Sequence, residues 1–383
     1  MNALLELQAH GQAVWLDFIK RTLMRNGELK KLIDEDGLKG VTSNPSIFEK
    51  AIGQSSDYDD TLRELSRDPN AKAISIYERL AIQDIQEAAD ILRSVYEKTK
   101  KVDGYVSLEV SPLLAKDTAG TIEEGLRLWK EVNRPNVMIK VPATDEGIPA
   151  IRRLISEGIN INVTLLFSSH YYEKVARAYM AGLEDRLASG ESIDHVFSVA
   201  SFFISRIDSL VDTVLVQKAK EGESSRQGRV KALMGKAAIA NAKLTYQLSY
   251  ELHAAPNWQT LKAKGGNKQR LLWASTSTKN PAYRDVMYVE ELIGQDTVNT
   301  LPPATLEAFR DHGIAASTIE SNLDAANDTM QSLAEEGVDF EKLCHQLTEE
   351  GVKLFADAFE KLLAAVEEKR QLLGGTHAIP GKQ

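Results

Sequence analysis

One lysine, Lys140, lies inside an apolar segment with the sequence Val-Met-Ile-Lys-Val-Pro at residues 137–142. Lysine is rarely buried without a partner, because moving an ammonium group out of water is costly. Burial also favours the neutral amine, a nucleophile that can form a Schiff base with a ketone. Since Pro142 cannot donate to a β-ladder, Lys140 is expected near the C-terminal end of a buried strand. The alternative is a lysine on an edge strand that extends to solvent.

Polar side chains occupy similar positions near the ends of other apolar segments. They include two acids, two amides and a threonine hydroxyl: Asp17, Asn44, Glu109, Asn162 and Thr164. The last two are two residues apart, so both point to the same side of one strand. Together with an amine, these groups suit imine chemistry, which needs a nucleophile, proton carriers and donors that hold substrate hydroxyls.

Each of these residues also has a purely structural interpretation. Asp17 is suited to cap the helix that follows it, and Asn44 precedes a proline, as turn residues often do. A carboxylate at Glu109, within an apolar segment, needs a partner. A structural ion pair between Glu109 and Lys140 is therefore the strongest alternative for both residues. Thr164 is in any case a good strand former.

The elements that must position these groups alternate along the chain. Short β-branched segments are separated by longer amphipathic ones, a pattern typical of βαβ units and a parallel sheet. Eight strands favour a closed (β/α)8 TIM barrel, whose strand ends converge on one face. Periodicity alone does not exclude an open doubly wound sheet. The predicted strands are residues 14–18, 40–43, 105–110, 137–141, 161–167, 196–201, 270–275 and 297–301, and the clearest helical segments are residues 71–98, 121–132, 169–188 and 204–220.

Two regions exceed a minimal barrel. We predict a single (β/α)8 barrel domain over residues 1–383, since a chain of this length often forms one barrel. An extra helical insertion is expected at about residues 221–269 and a helical C-terminal extension at about residues 304–373.

Composition restricts the possible partners. The net charge of −9 argues against a nucleic acid or an anionic membrane as partner, so any anionic ligand must be held by a few local cations. Cys344 is the only cysteine, which excludes an intrachain disulfide and a Cys-based metal cluster. No secretory signal or membrane-length apolar segment is visible, and a cytoplasmic protein is expected. Neither a monomer nor a homo-oligomer is favoured by the sequence.

Four motifs on successive predicted strands resemble the transaldolase family, and the chain length resembles its longer bacterial form. The similarity follows the family's order from about Trp15 to Asn280. It implies a (β/α)8 barrel without metal or organic cofactor, in which a Schiff base carries a dihydroxyacetone unit. In the pentose phosphate pathway this unit passes between sedoheptulose 7-phosphate or fructose 6-phosphate and erythrose 4-phosphate or glyceraldehyde 3-phosphate. The motifs are Gly-Val-Thr-Ser-Asn-Pro-Ser at residues 40–46, Glu-Val-Ser-Pro at 109–112, Ile-Lys-Val-Pro-Ala-Thr at 139–144 and Asn-Val-Thr-Leu at 162–165.

The resemblance implies a role for each matching residue. Lys140 forms the imine, and Glu109 acts as acid and base through a water that Thr164 holds. Asp17 takes the proton from the C4 hydroxyl during carbon–carbon cleavage. The residues that the resemblance assigns to substrate binding are Asn44, Asn162, Ser201, Phe203, Arg206 and Lys279.

Among the residues that the resemblance assigns to the phosphate end of the substrate, one departs from the family's pattern. Ser201, Phe203 and Arg206 are in register with Ser-Pro-Phe-Val-Gly-Arg of shorter members of the family. Lys279 stands where those members have arginine. Because lysine offers a point charge and not a bidentate fork, phosphate orientation at this position is expected to be looser.

Two other functions compete with transfer. A related Schiff-base aldolase releases dihydroxyacetone; such enzymes resemble this pattern but carry glutamine at the position of Glu109 and tyrosine at that of Phe203. Both residues here favour transfer. A catalytically silent phosphosugar-binding barrel would have lost Lys140 or its acid, and both are present.

Overall fold

A computed structural model describes residues 2–68, 70–220 and 224–374, and its centre is a closed barrel of eight parallel strands. Each strand pairs with the next one along the chain, and the last pairs with the first. The predicted (β/α)8 barrel is confirmed, and the open sheet is wrong. The strands are β1 (Gln12–Leu16), β2 (Gly40–Val41), β3 (Tyr105–Glu109), β4 (Val137–Pro142), β5 (Ile161–Leu166), β6 (Ser198–Phe203), β7 (Arg270–Ala274) and β8 (Thr297–Leu301).

Helices surround the barrel. Within the described residues they are α1 (Ala3–Ala9), α2 (Arg21–Arg25), α3 (Glu28–Asp36), α4 (Pro45–Gly53), α5 (Asp59–Leu65), α6 (Ala73–Lys98), α7 (Thr118–Val132), α8 (Gly147–Ser156), α9 (Ser169–Ala188), α10 (Ser205–Lys220), α11 (Ser224–Leu233), α12 (Ala237–Ala254), α13 (Pro256–Ala263), α14 (Met287–Glu290), α15 (Pro303–His312), α16 (Leu323–Glu335) and α17 (Phe340–Gly374), with a 3-10 helix at Pro112–Leu114. None of these helices is both long and apolar enough to cross a membrane.

Every strand boundary differs from the predicted one by no more than two residues. The last strand agrees with the prediction at both ends, whereas β1 and β6 are displaced by two residues in opposite directions. The apolar character of Val196 and Phe197 predicts a strand, but both residues lie buried in the loop before β6. Apolar character alone therefore does not locate where the ladder begins.

Close packing closes the N-terminal end of the barrel. Trp15 pairs with Gly40 in the ladder, and a Cβ atom at Gly40 would lie 2.5 Å from the indole ring, so this position requires glycine. The indole Nε1 donates to Asp103 Oδ1 at 3.1 Å, and Arg270 forms an ion pair with the same carboxylate at 2.9 Å. These contacts leave the opposite end, where the strands finish, available for a ligand.

The two predicted additions contain helices that pack on the barrel and on each other. Helices α11, α12 and α13 precede β7, and α12 contacts α16 of the C-terminal region. Residues 221–223, where the insertion was expected to begin, lie outside the described residues. The division into one barrel domain with two additions stays a prediction.

Helix α17, which we call the cap helix, lies across the C-terminal ends of the strands. It contacts α4, α5, α6, α10 and β5, and so spans several sectors of the barrel. Gly351 permits a close approach, since a Cβ atom there would lie 2.8 Å from Leu165 Cδ2. Leu165 has a positive φ of 58° at an irregularity in the β5–β6 pairing, a conformation that leucine rarely adopts. The cap helix is thus packed directly on the irregular end of β5.

Candidate active site

A cavity of about 600 Å³ opens between the C-terminal ends of the strands and the cap helix. Its volume is in the range of ordinary small-molecule sites. Two of the predicted site residues, Glu109 and Asn162, do not line this cavity but contact residues that do. The other eight line it: Asp17, Asn44, Lys140, Thr164, Ser201, Phe203, Arg206 and Lys279.

The amine of Lys140 is held in a fixed position inside the barrel. The residue is only 4% exposed, so the solvent-extended edge-strand alternative is wrong. Its Nζ donates to the carbonyl oxygen of Ser43 at 3.1 Å and lies 3.3 Å from Glu109 Oε2. In the ladder, Lys140 pairs with Glu109 on one side and Asn162 on the other. Register alone therefore brings the amine and the acid together.

Glu109 is an enclosed acid beside the amine. Its side chain is 6% exposed, and burial raises the pKa of its carboxyl group, although the adjacent Lys140 acts in the opposite direction. Its Oε2 lies 3.3 Å from Lys140 Nζ, so acid and amine are close enough to share a proton. The arrangement suits an acid that exchanges protons.

Asp17 supplies a second, half-buried acid immediately after β1. Its backbone N–H donates to the carbonyl oxygen of Leu301 at 2.8 Å, and its Oδ1 accepts from Thr42 Oγ1 at 2.7 Å. Burial raises the pKa of the Asp17 carboxyl group, while Lys140 and the Thr42 hydroxyl act against the rise. The N-cap of α2 is Lys20, so the helix-cap interpretation of Asp17 is wrong.

The two predicted amides have different surroundings. Asn44 is the N-cap of α4, where its Oδ1 accepts from the Ile47 N–H at 3.0 Å, and it also lines the cavity. Its amide NH2 is the end that can bind a ligand oxygen. Asn162 is fully buried: it donates to Ser107 Oγ at 2.9 Å and accepts from Ser201 Oγ at 2.6 Å. Asn162 thus orients Ser201, which faces the cavity.

Two cations define one side of the cavity. Arg206 lies in the first turn of α10, and Lys279 follows β7 and donates to Ser277 Oγ at 2.8 Å. Burial lowers the pKa of Arg206; partial burial, and then the nearby Arg206, lowers that of Lys279. In the described part of the chain, no carboxylate lies within ion-pair distance of either group. Two adjacent cations without an acidic partner, beside a helix N-terminus, form a favourable site for a phosphate.

Comparison with known proteins agrees with this geometry. Residues 14–366 match the family described as Transaldolase/Fructose-6-phosphate aldolase. The chain belongs to this family. It is 47% identical over 371 residues to the transaldolase of Trichodesmium erythraeum, covering 96% of this chain and 97% of the relative. It is also 46% identical to transaldolase 2 of a Nostoc species over 97% of this chain and 99% of the relative, and 46% identical to the transaldolase of Neisseria gonorrhoeae over 95% and 99%.

The transaldolase resemblance inferred from the motifs is therefore confirmed. The family is cofactor-independent and uses a Schiff-base mechanism. Among the described residues, no group of three or more His, Cys, Asp or Glu side chains is arranged to hold a metal ion. The family match continues past Asn280, where the motif similarity ended, and includes most of the cap helix.

The sequence analysis missed a cavity residue on the cap helix. The ring centroid of Phe355 lies 5.6 Å from Lys140 Nζ, and the ring lines the cavity. Apolar residues at helical spacing predicted the helix but not which face of it meets the site. Lys50, on α4, also lines the cavity and was missed because it lies in an ordinary amphipathic segment.

Proposed function

We propose that this protein is a transaldolase of the pentose phosphate pathway. It transfers a dihydroxyacetone unit from sedoheptulose 7-phosphate or fructose 6-phosphate to glyceraldehyde 3-phosphate or erythrose 4-phosphate. The observation that carries the proposal is the buried Lys140 amine, 3.3 Å from the Glu109 carboxylate, in a cavity that Arg206 and Lys279 line as well. Its partners are small sugar phosphates, and it works in the cytoplasm.

Imine formation is the first chemical step. The Lys140 amine attacks the C2 ketone, and the resulting carbinolamine loses its hydroxyl as water. Glu109 donates the proton that this hydroxyl needs, through a water shared with the Thr164 hydroxyl. The positions of the groups support this assignment, because Glu109 Oε2 lies 3.3 Å from Lys140 Nζ and Thr164 lines the same cavity as Lys140.

The second acid, Asp17, promotes carbon–carbon cleavage. Asp17 takes the proton of the C4 hydroxyl, the C3–C4 bond breaks, and an aldose phosphate leaves. The electron pair of that bond forms an enamine on Lys140. The enamine then attacks the aldehyde of a second aldose phosphate, and Asp17 returns its proton to the new hydroxyl.

Binding groups hold the two ends of the sugar. The Asn44 amide and the Ser201 hydroxyl, which Asn162 orients, bind hydroxyls of the dihydroxyacetone unit. Arg206 and Lys279 bind the phosphate. Phe203 lies beneath Arg206, whose guanidinium carbon is 5.8 Å from the ring centroid, so the ring restricts the position of the guanidinium. The substrate thus spans the cavity from the amine to the cations.

Reduction with borohydride tests the reaction class directly. Wild-type protein mixed with fructose 6-phosphate and borohydride should gain the mass of one reduced dihydroxyacetone unit, because glyceraldehyde 3-phosphate leaves before reduction. Peptide mapping should place the adduct on Lys140. A protein without adduct, or with the adduct on another lysine, would refute the proposal. In the same mixture without borohydride, release of free dihydroxyacetone at the rate of cleavage would identify an aldolase instead.

The Asp17 assignment predicts a specific pH dependence. Asp17 must be ionised to accept the C4 proton, and burial raises its pKa, so kcat/KM should fall with decreasing pH at a value above the ordinary ~3.9 of aspartate. The Thr42 hydroxyl donates to Asp17 and stabilises the carboxylate. Thr42→Val should therefore move this acid limb to higher pH, by about one unit. Initial rates measured between acidic and neutral pH give the position of this limb. If the limb does not move in Thr42→Val, Asp17 is not the group that titrates.

A further inference from the structure

The Phe355 ring gives the cap helix a direct contact with the reacting lysine. Phe355 is 6% exposed, and its ring centroid lies 5.6 Å from Lys140 Nζ. The amine is held from other directions by the Ser43 carbonyl and the Glu109 carboxylate. The phenyl ring is therefore an apolar neighbour of the amine and carries no exchangeable proton.

The position of Phe355 is fixed by contacts one helical turn away on each side. Gly351, four residues before it, packs against Leu165, the residue that follows Thr164. Phe359, four residues after it, makes an edge contact with Tyr77 at a centroid distance of 5.5 Å. Residues at this spacing lie on one helix face, so the same face that docks the cap helix also carries Phe355 into the cavity.

When water reaches the lysine-bound enamine, the dihydroxyacetone unit can no longer be transferred to an acceptor. A proton delivered to C3 converts the enamine into the iminium of dihydroxyacetone. Water then adds at C2, the carbon–nitrogen bond breaks, and free dihydroxyacetone and the lysine amine result. The net reaction consumes one water molecule. Exclusion of bulk water, beyond the one water that Glu109 and Thr164 are proposed to share, therefore decides between transfer and release.

We propose that Phe355 is a specificity-determining residue that keeps bulk water away from the enamine on Lys140 and so favours transfer over release of dihydroxyacetone. The inference rests on the proposed function, because it presupposes that Lys140 carries the enamine. It extends that function by giving the C-terminal region a chemical role. The bulk and apolar surface of the ring, held by the docked helix, are the properties that matter.

The ratio of free dihydroxyacetone to transferred product tests this role. With fructose 6-phosphate and saturating erythrose 4-phosphate, Phe355→Ala should raise the ratio about tenfold, since an admitted water brings a proton donor to the enamine. Phe355→Leu retains apolar bulk and should restore most of the wild-type ratio. Phe359→Leu is the matched control, because it alters the same docked face at a residue that does not line the cavity of Lys140. A merely structural role would lower stability and total turnover but leave the ratio unchanged.

The outcomes separate this inference from the proposed function. A wild-type borohydride adduct on Lys140 together with an unchanged ratio in Phe355→Ala would overturn the inference alone. An equal rise in Phe359→Leu would also overturn it, because helix docking would then be the cause. If Phe355→Ala does not fold, Phe355→Val is measured instead, and an unchanged ratio there has the same meaning. Absence of the wild-type adduct would reject both proposals.

Discussion

Lys140→Ala should lose transfer activity by on the order of 10⁴-fold or more, because the nucleophile that forms the covalent intermediate is gone. Other amines in the cavity are not expected to compensate, because Lys279 lies beside Arg206 and Lys50 belongs to α4. The borohydride adduct with fructose 6-phosphate should disappear as well. A coupled assay of aldose phosphate release and intact-protein mass spectrometry measure the two effects.

Stability must be measured beside activity in this experiment. Removal of the amine leaves the Glu109 carboxyl group buried without its cation, which favours its neutral form and costs stability. Lys140→Met keeps most of the side-chain volume and is the better-packed comparison. Lys50→Ala removes another cavity lysine and should keep the covalent label. A Lys140→Ala protein labelled as strongly as wild type would show that a different amine is the nucleophile.

Glu109→Gln should lower kcat by about 10²–10⁴-fold while KM changes little, because a general acid–base group is lost and the phosphate contacts remain. Glutamine is nearly isosteric, so the packing around Lys140 is retained. The slow step should become imine formation, which rapid mixing followed by borohydride quenching resolves. Unchanged turnover would remove Glu109 from the acid–base role.

Arg206→Ala provides the contrasting pattern for the Glu109 variant. Arg206 contacts neither Lys140 nor Glu109 and lies at the side of the cavity where the phosphate is expected. Its loss should mainly raise KM, with a smaller effect on kcat. If the two variants showed the same change in kcat and KM, phosphate binding and acid–base catalysis would not be separable in the way proposed.

Local patterns were sufficient for the barrel and for most of its site. The spacing of apolar residues distinguishes strands from helices, so the eight strands could be predicted to within two residues of their observed positions. A parallel barrel brings all C-terminal strand ends to one face, and polar residues at those ends must therefore meet. For this reason Asp17, Lys140 and Thr164 could be placed together from the sequence.

Exact boundaries and partners depended on long-range contacts. Phe197 is buried although it precedes β6. A loop residue beneath the barrel can thus be as apolar and as enclosed as a strand residue. The proposed role of Asn162 likewise follows from its bonds to Ser107 on β3 and Ser201 on β6, of which only β6 is adjacent to the strand of Asn162. No periodicity in one segment encodes which side chain on another strand will satisfy it.

The sequence by itself determined the alternation of strands and helices, the family and the groups available for imine chemistry, since these depend on residue types, on spacing within single elements and on the order of motifs along the chain. Only the tertiary structure decided the 3.3 Å approach of Glu109 to Lys140 and the place of the cap helix. An amphipathic helix reports that one of its faces is buried, but not against what. Phe355 reaches Lys140 because Gly351 and Phe359 dock the helix on parts of the chain far away in sequence.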